Sequence, residues 1–200
     1  MNYNKIVTTH EGLFLEVDLG NACTYRCSYC QYGKPDFPQW IDYEVLVAFI
    51  KKMNPSHILL GGGEPTLYPE ITRLLKVLSS KNIVVDIITN AARSFQWWKD
   101  HVEYFDIITA SYHIEFTNIV SFLEKLEYIT KNKIITINIP MMPERFDECL
   151  DIAYKLIEVQ NVFVSLKAII DYKSGIVEQY GEDQLNLMSE VLSSKVKTTS

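Results

Sequence analysis

Two hundred residues with 48% hydrophobic and 22% charged side chains have the profile of a soluble globular chain with a sizeable core, which excludes a disordered or low-complexity protein. A net charge of −6 excludes bulk attraction to polyphosphate, and no basic patch offers a local route to nucleic acid. No apolar run reaches membrane-spanning length and MNYNKIVTTHEG lacks a signal-peptide core, so the expected location is cytoplasmic, where clustered thiols bind metal or do redox chemistry rather than form disulfides.

The first strand is expected over 13–19 (LFLEVDL) and runs directly into NACTYRCSYC. After a polar stretch with Pro35 and Pro38, helical spacing over 42–53 puts Val45, Leu46, Phe49 and Ile50 on one face. The apolar run HILL at 57–60, closed by Gly61, Gly62 and Gly63, reads as a fully buried strand. A helix over 68–80, a strand over 83–89, a helix over 95–105 and a strand over 107–111 follow. The series continues with a helix over 119–131, a strand over 133–139, a helix over 145–159, a strand over 162–170 and a last helix near 184–194.

Apolar strands alternating with amphipathic helices predict parallel βαβ units with right-handed crossovers. An open doubly wound sheet and an incomplete barrel both satisfy that pattern. The expected organisation is a single domain over 1–195, with 196–200 a flexible tail. The polar and glycine-rich residues gather after the strands: Asn21 and the cysteines after the first, residues 61–64 after the second, Thr89 and Asn90 after the third. Ser111 and His113 follow the fourth, Asn138 ends the fifth and Lys167 lies near the end of the sixth. These are the C-terminal strand ends where parallel α/β folds build their sites.

Cys23, Cys27 and Cys30 fall within eight positions, and the fourth cysteine, Cys149, is far downstream. An extended chain would hold Cys23 and Cys30 roughly 23 Å apart, so this loop curls around one compact object. Zinc would need a fourth ligand from Cys149, His10, His57, His101 or His113. A four-iron cluster on three thiolates would keep one iron open to another ligand. GGGEP at 61–65 permits close main-chain approach to a ligand, with a carboxylate from Glu64 and a strand stop at Pro65. It has neither dinucleotide-fingerprint spacing nor a phosphate-loop lysine.

Cys23-x3-Cys27-x2-Cys30 after a first strand, with Tyr29 before the last cysteine, and GGGEP after a second strand together resemble the radical S-adenosylmethionine (radical SAM) superfamily. The order of strands and helices extends the resemblance over nearly the whole chain. It implies an α/β fold, a partial parallel (βα)6 TIM-like barrel, and an enzyme whose Cys23, Cys27 and Cys30 ligate a [4Fe–4S] cluster. S-adenosylmethionine would complete that shell and be cleaved reductively to methionine and a 5′-deoxyadenosyl radical that takes hydrogen from substrate. Tyr29 would lie near the adenine, and Gly62, Gly63 and Glu64 at the methionine end. Ser111 and His113 would contact the ribose and the methionine carboxylate. Asn138 falls in the family's fifth-strand segment, without the glycines often found there. An electron donor such as flavodoxin or ferredoxin is implied as partner, and the substrate is a peptide or a small molecule. Non-radical use of S-adenosylmethionine and a zinc-binding structural or regulatory protein are the alternatives.

Other residues have two readings each. Lys167 is a cation for the methionine carboxylate or an acidic substrate group, or a lysine reaching solvent from a strand end. Asn90 faces the site or forms a turn. Glu16 and Asp18 share one face of the first strand, which is a barrel lumen or a solvated surface. Cys149 reads as a half-buried helix thiol, Trp97 and Trp98 as helix packing, and Met141 and Met142 as cavity wall or core filler. The expectation is a core of six units without the cysteine-rich extension of larger relatives, either a minimal enzyme or a part of something longer.

Overall fold

The computed structural model describes residues 12–30, 37–171, 176–177 and 180–194. His10, Pro35 and the expected tail at 196–200 lie outside them. Six strands, β1 (Phe14–Asp18), β2 (His57–Gly61), β3 (Val84–Thr89), β4 (Ile107–Ser111), β5 (Ile135–Met141) and β6 (Val162–Ala168), form one parallel sheet whose spatial order is the chain order. Between them run α1 (Tyr43–Met53), α2 (Ile71–Ser80), α3 (Phe95–His101), α4 (Ile119–Ile129) and α5 (Phe146–Ile157). A short antiparallel pair, β7 (Ile170–Asp171) and β8 (Ile176–Val177), precedes α6 (Glu182–Ser194).

The strand order decides between the two architectures that periodicity left open. A doubly wound sheet reverses direction at a switch point, so its helices fall on both faces. Here each right-handed crossover moves to the next strand in the same sense, and every connecting helix lands on the same face. Covered on one face only, the sheet curls into an open six-unit barrel with β1 and β6 as its edges. Burial follows suit. Along β5, Ile135, Ile137, Ile139 and Met141 are buried on the helix side while Thr136, Asn138 and Pro140 alternate on the concave side.

Capping explains where several helices begin. Asp42 accepts from Val45 N–H, Ser94 from Trp97 N–H and Asn118 from Ser121 N–H, each satisfying one orphan donor of a first turn. α1 stops at Asn54, which takes a left-handed conformation with φ 47°. Its buried face is Leu46, Val47 and Ile50, whereas Val45 and Phe49 are 63% and 47% exposed. The expected apolar stripe is therefore rotated, because Val47 takes the inward position. The helices expected over 68–80, 95–105 and 145–159 are shorter as α-helix: α2 starts at Ile71, α3 passes into a 3₁₀ turn at Val102–Tyr104, and α5 starts at Phe146 after a 3₁₀ turn at Pro143–Arg145 and ends at Ile157.

β5 runs two residues past its expected end, through Pro140. Tyr112 N–H donates to Asn138 O at 2.8 Å, so even-numbered residues of β5 turn their polar groups toward β4, which ends at Ser111. Pro140's missing donor thus removes no ladder bond. Trp98 and Cys149 are fully buried and Trp97 nearly so, as packing residues. Met141 and Met142 join them in the core rather than lining a cavity. No helix among the described residues is long and apolar enough to cross a membrane.

Asp86 departs from the apolar logic of β3. It sits on the concave side between Leu59 and Ile107, and its Oδ1 is buried without a hydrogen-bond partner. Burial pushes its carboxyl up to about 6. The folded state therefore holds this proton more tightly than the unfolded chain. The stability it supports is fully present below about pH 4 and is lost as pH rises through about 6. Asp86→Asn is expected to gain about 1–3 kcal/mol over the native chain at pH 7 and nothing at pH 4, read as the difference between urea unfolding midpoints across that range.

Candidate active site at the C-terminal mouth of the sheet

β1 and β2 end side by side, with Asp18 opposite Gly61, and the two chains stay in contact beyond the sheet. Leu19 N–H donates to Gly61 O at 3.1 Å, Gly63 N–H to Gly20 O at 2.8 Å and Glu64 N–H to Ala22 O at 2.7 Å. The glycine run thus extends the pairing along the segment that leads into the cysteines. Such an approach leaves no room for side chains. A Cβ on Gly62, where φ is +112°, would lie 2.4 Å from Gly20 O, and one on Gly63 would lie 2.4 Å from Ala22 O. What these glycines approach on one side is the chain itself; their other side faces a cavity.

That cavity holds about 360 Å³ and is lined by Cys23, Cys27 and Cys30 together with Gly61, Gly62 and Gly63. Tyr29, Ser111, His113 and Lys167 line it as expected from the sequence. Asn90, Glu16 and Asp18, each given two readings above, also line it. Tyr25, Ile88 and Pro140 contribute walls that carried no motif.

Two of the expected residues, Glu64 and Asn138, do not line this cavity. Glu64 is 1% exposed and does not line this cavity. Its carboxylate is turned into the protein: Oε1 accepts from Thr66 N–H, Thr66 Oγ1 and Thr89 Oγ1, and Oε2 accepts from Asn90 N–H at 2.7 Å. Four donors engage the carboxylate, so the Glu64 side chain ties the ends of β2 and β3 together. Burial raises its pKa, against the lowering effect of those donors. Asn138 shares the concave face with Pro140 but lies one step deeper, and Pro140 takes the lining position.

The tie at Glu64 fixes the turn after β3. Thr89 Oγ1 accepts from Ala91 N–H, Asn90 Oδ1 from Ala92 N–H, and the buried Lys125 Nζ donates to Ala91 O at 2.7 Å. Ala91 is held at φ 52°, a conformation that three hydrogen bonds around it impose. The result aims Asn90 Nδ2 at Cys23 Sγ, 3.4 Å away, while Tyr25 N–H donates to the same sulfur at 3.3 Å.

The thiols are unpaired by disulfide. Burial pushes Cys23 up and Cys27 up to about 12, with the Glu115 charge adding to the effect at Cys27. Their surroundings thus favour the neutral thiols; a positively charged guest would favour the thiolates. Burial also lowers His113 to about 4, so its ring is neutral at pH 7, and its Nδ1 shares a 2.9 Å hydrogen bond with Tyr29 Oη.

The donor set fits an iron–sulfur cluster. Three soft thiols rise from one loop, two N–H groups point at a ligand sulfur, and a glycine-lined wall stands beside them. Among the described residues no three His, Cys, Asp or Glu side chains are gathered tightly enough for a single metal ion. Of the fourth ligands considered for zinc, His57 packs against Phe14, His101 stacks on Trp97 and bonds Thr72, and Cys149 lies in the core, whereas His113 lines the cavity with its Nδ1 bonded to Tyr29 Oη.

The sequence profile described as the radical SAM superfamily matches residues 17–157. Among individual proteins, an S-adenosylmethionine-dependent nucleotide dehydratase of a Thermoplasmatales archaeon (strain ISO4-H5) is 28% identical over 94 residues, which is 44% of this chain and 32% of that protein. A GTP 3′,8-cyclase of Stenotrophomonas maltophilia is 32% identical over 73 residues, 34% of this chain and 22% of the cyclase. The chain thus spans a third or less of the length of these relatives. Streptococcus suis SuiB, solved bound to S-adenosylmethionine, superposes with a TM-score of 0.63 over 92% of this chain and 47% of SuiB, at 19% identity. SuiB shares the fold. With the profile covering well over half of its residues, the chain belongs to the radical SAM superfamily.

Proposed function

We propose that this chain is a radical SAM enzyme, with Cys23, Cys27 and Cys30 holding a [4Fe–4S] cluster and the adjoining cavity holding S-adenosylmethionine. The observation that carries this reading is that the three thiols and the main chain of residues 61–63 line one cavity at the ends of β1 and β2. When bound, the cluster and S-adenosylmethionine would supply one-electron cleavage of the sulfonium and a 5′-deoxyadenosyl radical for hydrogen abstraction.

The chain's own share is binding, orientation and exclusion of water. Gly62 and Gly63 bring backbone within reach of the methionine end, and Ser111 and Lys167 offer a hydroxyl and a cation to its carboxylate or to an acidic group of the substrate. Tyr29 and His113 stack at 6.0 Å between centroids with 22° between planes, an aromatic wall suited to adenine. Glu16 and Asp18 stand on β1, at the sheet edge away from Lys167 on β6, and face the substrate side. Asn90 donates to Cys23 Sγ and so holds the loop and its thiolate together.

The chain would draw its electron from a donor such as flavodoxin or ferredoxin, and would work in the cytoplasm, where its thiols stay reduced. The concave face opens between the β1 and β6 edges, so the site admits a peptide or a small molecule. SuiB has been solved bound to its precursor peptide SuiA, whereas the cyclase and the dehydratase are named for nucleotides.

Anaerobic reconstitution with iron and sulfide, reduction with dithionite and addition of S-adenosylmethionine is expected to yield 5′-deoxyadenosine, with background levels from Cys27→Ala. A full four-iron cluster without product would move the reading to non-radical use of S-adenosylmethionine. No cluster would return zinc to consideration. Gly63→Ala is expected to displace Ala22 and with it Cys23, lowering iron per chain and costing about 1–3 kcal/mol in urea unfolding. Full iron content with unchanged stability would show that the backbone contact yields freely.

A further inference from the structure

The cysteine loop is held on its glycine side by the backbone contacts of residues 19–22, but the stretch bearing Cys27 and Cys30 is reached by another element. The turn after β4, residues 112–118, meets it at three points. Glu115 Oε2 accepts from Ser28 N–H at 3.0 Å, Tyr29 Oη meets His113 Nδ1 at 2.9 Å, and Phe116 stacks on Tyr25 at 5.2 Å between centroids with 16° between planes. The turn itself is firmly made. Thr117 N–H and Phe116 N–H both donate to His113 O, His113 N–H donates to Thr117 Oγ1, and Arg145 Nη1 donates to Ile114 O.

Among the three contacts the carboxylate is the unexpected one. It comes from a turn 87 positions further along the chain and reaches the backbone between two of the cysteines. As an acceptor it is well placed: Ser28 lies between the two cysteines, and its amide is the only main-chain donor of residues 27–30, besides Cys30 N–H to Cys27 O, with a bond to protein among those described. We infer that Glu115 is a positioning residue for the cysteine loop, holding the Ser28 amide so that Cys27 and Cys30 are set in place before the cluster arrives. This rests on the reading of the cysteines as cluster ligands.

The test uses the full chain, first without metal. Hydrogen exchange at Ser28 is expected to quicken on the order of tenfold in Glu115→Ala, with urea midpoint unchanged, and to stay near the native rate in Glu115→Gln, which keeps an acceptor. After reconstitution, Glu115→Ala is expected to lose iron to EDTA severalfold faster than the native protein, with Glu115→Gln again close to native. Unchanged Ser28 exchange in Glu115→Ala overturns the inference, as does faster exchange with native resistance to EDTA, or a glutamine variant that behaves like alanine. Should the native chain take up no cluster, the proposed function falls, and the exchange comparison alone then decides whether Glu115 holds the loop.

Discussion

The buried carboxylate of Glu64 is the constraint around which the mouth of this sheet is arranged. A carboxyl group at 1% exposure is costly by several kcal/mol unless its oxygens are bonded. Four donors from Thr66, Thr89 and Asn90 provide that, and they come from the exits of two different strands. The Glu64 amide meanwhile bonds Ala22, one residue before the first cysteine. One residue therefore couples the ends of β2 and β3 to the cysteine loop, and no part of this arrangement is satisfied without the others.

The glycines do the complementary work. Gly62 and Gly63 allow two backbones to touch where any side chain would force them apart, which makes the cysteine loop a continuation of the sheet's pairing rather than a free excursion. The motif thus has two faces with two jobs. One is packing against residues 20–22; the other is exposure of main chain to the cavity. A substitution in it acts on both at once, and this is why a motif read as ligand contact also governs the geometry of the thiols.

Much of the fold was legible because its signals are local. Apolar runs such as HILL and capping residues such as Asp42 and Asn118 act within a few residues, and six alternations leave little choice of class. The face of α1 was misjudged, since Val45, Val47 and Phe49 have similar hydropathy and only packing against the sheet separates them. Within the site, the cysteines and glycines announce themselves by spacing. The inward turn of the Glu64 side chain was not legible, because the four donors that engage its carboxylate come together only in three dimensions. Glu115 was silent for a related reason: its partner, Ser28, is 87 positions away, and nothing in IEFT hints at the pairing. Asp86, lodged on the concave side of β3 with an unbonded oxygen, likewise carried no signal in the alternation of its strand.

The two-sided anchoring of the cysteine loop also bears on how the chain is made. Everything that holds residues 19–22 is encoded by residue 64, so the first βαβ unit and its glycine contact can form from short-range contacts while the rest is still being synthesised. The partners of Ser28, Tyr29 and Tyr25 are Glu115, His113 and Phe116 respectively, which emerge some fifty residues later. For that interval the thiols of Cys27 and Cys30 belong to a loop tethered at one end, open to oxidants and to stray metal. The nascent chain is thus more exposed to error than the finished one, and the completion of the fourth unit closes that window.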